Sequence, residues 1–328
     1  MNIMKKLISL FLILSCLATL ALAATVPTEA GKPIVTVTTG SNSVQCNDVE
    51  VMLENVDASG KTVITVLQDF SYPDAAIKLP YSCTIDFNGH TVTGCQDVKT
   101  NAFEVQAAGS ENNITTLKNG TLLYGQRGLN VKGGGFAVTD MLMYGPIGEP
   151  VSPMDTNFEG NSLIENSTLI ARDWGGMSFN AAGDHSKHTV TIKDSTLLTL
   201  NAGGCVLIDV DSKVTAGGNI VLGTGVKMYG AKINSFASSL NKVTGETATK
   251  NPETQTFELP ELNIKATGLT LFETAPTPAP VVPETPVAPE APATPVPEAP
   301  VPTTGVSVVA LGVMAAVSLA GAVITKKH

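Results

Sequence analysis

The side chains that could do chemistry are few and fall in three places. Asp209-Val210-Asp211 sets two carboxylates on one side of any strand that carries them, because side chains alternate with a period of two. Such a pair could hold calcium if a neighbouring segment supplied further oxygens; an exposed acidic face is the plainer outcome. Arg172-Asp173-Trp174-Gly175-Gly176 joins a guanidinium, a carboxylate and the chain's only tryptophan on glycine-loosened backbone. The catalytic candidates are therefore Arg172, as a proton-abstracting base, with Asp173, Asp209 and Asp211. Trp174 is the ligand-binding candidate, its indole able to stack on a sugar ring. The alternative places Trp174 in the core and pairs Arg172 with Asp173 at a loop. His185 and His188 are the one close pair of imidazoles. A metal there would need ligands that the sequence does not name, so a solvated loop is expected. His90 reads as a turn residue, and Arg127 is the only other arginine.

These residues sit in a loose repeat. Segments 91–94, 121–125 and 141–145 end alike, and weaker copies follow at 167–171, 195–199 and 226–230. Ahead of each stands Asn88, Asn119, Asp140, Asn166, Asp194 or Gly225, residue types that tolerate positive φ, so each copy turns a corner and then runs as a strand. The copies are rich in Thr, Val, Ile and Leu with period-two alternation. Their spacing of about 20 to 31 residues fits one coil of a parallel β-helix, in which each coil buries its apolar face only by stacking on the next. Asn47-Asp48-Val49-Glu50 has capping-box spacing. Val49, Met52, Leu53 and Val56 then share one helical face, so a short helix should cover the open end of the first coil.

Thr62 to Asp69 followed by Cys83-Thr84-Ile85-Asp86-Phe87-Asn88-Gly89-His90-Thr91-Val92-Thr93-Gly94 resembles the opening coils of right-handed parallel β-helix proteins of the pectate-lyase-like superfamily. That resemblance implies an all-β solenoid over residues 24–273. Polysaccharide-cleaving members carry two or three acidic residues, often with calcium, and an arginine or lysine base on an outer face. The polygalacturonase-like set Asn-Thr-Asp, Asp-Asp, Gly-His-Gly and Arg-Ile-Lys is absent here, and Asp155-Thr156-Asn157 stands in the wrong order. Two functions stay open: a domain displayed for adhesion or glycan binding, without an enzymatic role, and a polysaccharide lyase or glycoside hydrolase with a degenerate acidic site. A passive surface spacer is the third. No cofactor is expected beyond possible calcium.

The ends set the location. Lys5-Lys6 precedes apolar sequence to Leu20, and Ala21-Leu22-Ala23 supplies the small-x-small cleavage pattern of a secretory signal, residues 1–23. A lipoprotein signal at Cys16 is the lesser alternative. Residues 274–300 form a stalk, in which Pro280, Pro283, Pro286, Pro289, Pro292 and Pro295 recur at the three-residue period of polyproline II. Val301-Pro302-Thr303-Thr304-Gly305 resembles the Leu-Pro-x-Thr-Gly sorting motif of Gram-positive surface proteins, which sortase cuts between threonine and glycine to join the threonine to peptidoglycan. Within residues 301–328, the uncharged stretch 306–324 is long enough for a membrane helix, and Lys326-Lys327 suits the cytoplasmic side. Together these imply a secreted protein covalently attached to the cell wall; the alternative is a single-span membrane protein.

Charge narrows the partners. The chain of 328 residues has 20 basic and 29 acidic side chains; removing Lys5, Lys6, Lys326 and Lys327 leaves 16 basic, a formal charge of −13. Such a balance offers no footprint for nucleic acid, and a monomer is expected. Cys46, Cys83, Cys95 and Cys205 show no metal or redox spacing. They are expected as small buried residues, although disulfides are permitted outside the cell. Asn113, Asn119 and Asn166 fit the glycosylation pattern, but inward hydrogen bonding at the corners explains the last two equally well.

Overall fold

β-branched and small polar residues are frequent from Val35 to Glu273, and in the computed structural model nearly all the regular structure they form is strand. It describes residues 31–97, 99–201, 205–209, 213–234 and 242–278. The signal 1–23 with Ala21 and Ala23, the stalk from 279, the motif 301–305, the apolar segment 306–324 and Asp211 lie outside the described residues. Among the described residues no helix is long and apolar enough to cross a membrane.

Three parallel ladders build an all-β solenoid. The first joins Val63–Val66, Thr84–Asp86, Gly160–Glu165, His188–Lys193 and Asn219–Leu222 through the front halves of Ile114–Leu123 and Gly135–Gly145. Those two long strands bend and serve the second ladder as well. There they stack with Phe70–Ser71, Thr91–Thr93, Thr168–Ala171, Thr196–Thr199 and Lys227–Tyr229. The third is a separate seven-stranded sheet running from Ile77–Leu79 to Lys232–Asn234, by way of Phe103–Val105, Leu129–Val131, Val151–Pro153, Met177–Phe179 and Cys205–Asp209. The bend between the first two ladders falls on Asn88, Asn119, Asp140, Asn166 and Asp194, with φ between 46° and 60°, and on Gly225 at 71°. The repeated Asn and Asp are there because each coil must turn a corner within one residue.

Alternation decides what is buried. On the first ladder Ile64, Ile85, Leu117, Val138, Ile164, Ile192 and Leu222 stack in register and are buried. Each contributes about 1.5–3 kcal/mol relative to exposure. Serine hydroxyls stitch the bend: Ser167 Oγ accepts from the Met141 N–H at 3.1 Å, and Ser195 Oγ from the Ser167 N–H at 3.1 Å.

The starting end is closed by two elements. A hairpin, Val35–Thr39 and Asn42–Cys46, pairs antiparallel with Val63–Val66 through its first strand. The helix Val49–Glu54 packs on that hairpin and buries Val49 and Met52. Its N-cap is Asp48, whose carboxylate accepts from the Val51 N–H at 2.8 Å. This corrects the expected capping box by one residue: Glu50 falls too early to reach back and instead accepts from the Tyr72 hydroxyl at 3.0 Å.

The far end departs from simple coiling. Leu271–Glu273 runs antiparallel to Lys227–Tyr229, and the hairpin Gln255–Leu259 with Ile264–Leu269 lies on the outside of the second ladder. There Tyr144, Ile170, Leu198 and Tyr229 form an outward apolar row that Phe257, Ile264, Ala266 and Leu269 cover.

Candidate functional site

The turns between the second and third ladders stack on one another. Gly128 N–H donates to the Glu149 carbonyl at 3.2 Å, and Trp174 N–H to the Ile147 carbonyl at 3.1 Å. The approach is close enough that a Cβ on Gly148 would strike the Gln126 carbonyl, so glycine is required there. This stacking brings together residues from three coils that are distant in sequence. Arg127 Nε lies 3.0 Å from Glu149 Oε2, and the Glu149 side chain is completely buried. Ser178 Oγ donates to Glu149 Oε1 at 2.8 Å. With its amide oxygen turned toward the guanidinium, Asn180 accepts from Arg127 Nη2 and, at 3.1 Å, from Nε. The guanidinium carbon also stands 6.0 Å from the Trp174 ring centroid, within cation–π range. Burial, reinforced by the Glu149 charge, pushes the nearby Tyr124 phenol well above its ordinary range, and that hydroxyl donates to the Gly148 and Ile170 carbonyls.

Trp174 is thus neither a core residue nor a bare stacking platform. It is half-buried, with Arg127 over its ring. Arg172 is half-buried beside Tyr144: burial raises that phenol and the Arg172 charge opposes the shift. Asp173 is exposed, and among the described residues it makes no ion pair with Arg172. Arg172 precedes the third ladder at Met177–Phe179, whereas Asp209 pairs with Phe179 at the ladder's far end. The strand ends at Asp209, and Asp211 lies beyond it, outside the described residues.

The imidazole pair is where expectation fails most clearly. His185 and His188 are buried, not solvated. His188 packs against Phe158 with ring centroids 4.6 Å apart and against Phe179 at 5.4 Å, while Ser162 Oγ lies 2.8 Å from its Nε2. Burial first, and the neighbouring His185 second, push its pKa down to about 3. His185 Nε2 meets the Ala181 carbonyl at 3.0 Å. His90 is a turn residue as expected, its Nδ1 3.1 Å from Asp69 Oδ1. The corner asparagines also differ from expectation. Asn119 and Asn166 are exposed and bond along the corner, to Asp86 at 3.1 Å and to Asp140, rather than inward. Cys46, Cys83 and Cys95 are unpaired and buried, and burial pushes the Cys83 thiol up to about 12.

Some outward carboxylates pair with a lysine of the next coil. Lys118 pairs with Asp86 at 3.1 Å, Lys132 with Glu104 at 2.7 Å and Lys193 with Glu165 at 2.7 Å. Burial raises the Asp86 and Glu104 carboxyls, but hydrogen bonds and the lysine charges outweigh it and hold both below the ordinary range. One depression of about 460 Å³ on the corner is lined by Thr139, Asp140, Glu165, Asn166 and Asp194. Its Glu165 is already held by Lys193, and Asp140 by Asn166. Among the described residues no three His, Cys, Asp or Glu side chains converge as metal ligands. Comparisons of the chain with family models, with curated proteins and with solved structures returned no match.

Proposed function

We propose that this is a cell-wall-anchored protein whose right-handed parallel β-helix displays a surface for adhesion or glycan binding. The observation that carries it is the outer face. Asp86, Glu104 and Glu165 are each paired by a lysine of the next coil, and Arg127 is locked onto a buried glutamate. A lyase needs a base and a charge-stabilising group on one bound sugar, and that pairing has no support in these positions. A rigid stacked face on which rows of threonine and paired charges repeat at the strand spacing suits extended polymers, each coil meeting the next stretch of ligand. The export signal, the stalk and the motif at Val301–Gly305 support placement outside the cell, with sortase and peptidoglycan as partners.

Two measurements test this. Thr304→Ala should leave the protein extractable by detergent, whereas the unaltered chain should be released only by murein hydrolase; equal detergent release of both would favour a permanent membrane span. A glycan array should report binding, while an assay of reducing ends and unsaturated products, with and without calcium, should report no turnover. Calcium-dependent cleavage lost in Asp209→Ala or Arg172→Ala would overturn the non-enzymatic proposal.

A further inference from the structure

The turn 183–187 is tied to the molecule differently from the coils. Gly183–Asp184 pairs with Val214–Ala216 in a two-stranded sheet that belongs to none of the three ladders. Further ties are the His185 N–H to the Ala216 carbonyl at 2.8 Å and the Asn219 amide to the Ser186 carbonyl at 2.6 Å. Lys187 pairs with Glu159, but both are exposed, and such a contact adds little. Gly183 begins the turn at φ 132°, a value open to glycine. His188 ends it as the first residue of the strand His188–Lys193, opposite Gly160. His185 and His188 both pack on Phe179, at 5.2 and 5.4 Å between ring centroids.

Hydrogen bonds fix where the imidazole protons sit. Ser162 Oγ accepts from the Phe136 N–H at 2.9 Å, so its own hydrogen goes to His188 Nε2 at 2.8 Å and neutral His188 carries its proton on Nδ1. His185 donates to the Ala181 carbonyl through Nε2, which leaves its Nδ1 bare. Both Nδ1 atoms are buried without a protein partner. The closed turn thus leaves one donor and one acceptor unanswered, a cost it carries at every pH. It also offers no place for a second proton on His188. An N–H at Nε2 would meet a hydroxyl oxygen already committed to Phe136, and the Nδ1–H has no acceptor. Around that ring stand Phe136, Phe158, Ser162, Phe179 and His185, of which only His185 titrates. The charges nearby are engaged elsewhere. Asp184 is exposed, faces His185 and Lys187, and accepts from the Ser186 N–H at 2.7 Å. Asp155 holds the Gly134 and Asn157 N–H groups, and Lys213 stands just ahead of Val214–Ala216.

We propose that residues 183–187 form an acid-sensitive latch: as pH falls the turn swings off, His188 follows it into water, and the coils on either side stay stacked. Opening bares Phe158 and Phe179, which the closed turn keeps dry, beside an imidazolium. The inference goes beyond the display proposal and does not rest on it.

Hydrogen exchange of the full chain in detergent micelles, read on peptic peptides, tests it. Burial holds His188 down to about 3 in the closed turn, against about 6.5 in water, so protons favour the open turn. Between pH 7 and pH 5, after correction for intrinsic exchange, protection over 183–188 should fall roughly 25-fold, the factor those two values set. At both pH values the strand interior 190–192 should stay roughly tenfold or more better protected, because it opens only with the stack. His188→Phe, which keeps a ring among the phenylalanines, should remove the pH dependence. Asn219→Ala, which only unties the Ser186 carbonyl, should lower protection over 183–188 several-fold at both pH values and keep their ratio. Protection that does not change with pH, or that matches 190–192 throughout, overturns the latch. So does a fall that survives His188→Phe, or an Asn219→Ala chain that exchanges like the unaltered one.

Discussion

Arg127 and Glu149 stand 22 residues apart in sequence and meet because two turns stack. Glu149 is fully buried and Arg127 nearly so, so removing the cation alone strands a carboxylate without water. Arg127→Ala should therefore lose about 3–5 kcal/mol in urea denaturation, and Arg127→Ala with Glu149→Met clearly less. His188 supplies a pH dependence whose sign follows from its burial. Its folded pKa, about 3, lies below the ordinary 6.5, so between those values the unfolded chain takes up a proton that the folded chain refuses. Stability from this group is complete above pH 6.5 and falls as pH drops toward 3, by about 1.4 kcal/mol per unit. Denaturation midpoints at pH 7, 5.5 and 4.5 should record that slope, and His188→Phe should flatten it. An unchanged slope would place the proton elsewhere. The corner residues were legible in sequence because tolerance of positive φ belongs to Asn, Asp and Gly themselves. The burial of His188 was not, since Phe136, Phe158 and Phe179 reach it from other coils, and the polar neighbours in its own segment suggest solvent.

At the scale of elements, alternation identified the strands but not which side of the molecule their partners occupy. The strands Gln255–Leu259 and Ile264–Leu269 alternate like the coil strands, yet they form a hairpin pressed on the outward row of Tyr144, Ile170, Leu198 and Tyr229. A period of two marks one apolar face and is silent about inside or outside. Leu269, on this hairpin, is buried against Ile170 and Leu198, so Leu269→Ala should cost about 2–4 kcal/mol. Because the hairpin sits outside the stacked coils, the loss should be local. Limited proteolysis should speed up near residues 249–270 while far-ultraviolet circular dichroism keeps its strand signature. Equal acceleration across all coils would mean that the hairpin is needed by the whole stack. The helix Val49–Glu54 was readable from its apolar spacing, but the hairpin ahead of it was not expected as the cover for the first ladder.

For the whole molecule, stacking makes stability a sum over neighbouring coils, with each end closed by a different device. Among the described residues the unpaired thiols Cys46, Cys83 and Cys95 lie toward the starting end, on the hairpin and in the coil around Cys83 and Cys95. These sulfurs are buried, and burial pushes the Cys83 thiol up to about 12. While the stack is closed, alkylating reagents should modify them no faster than the coils open, so the labelling rate reports opening of that end. Once unfolded in air, the same sulfurs meet oxidant and one another, and any bridge they form has no place in the native stack. Heating without reductant should therefore be irreversible, and heating with reductant should restore the native signal on cooling. In any oxidising compartment, the outer-surface location proposed above included, the fold would then have to close before oxidation reaches its sulfurs, which makes speed of assembly a requirement on this sequence alongside its stability.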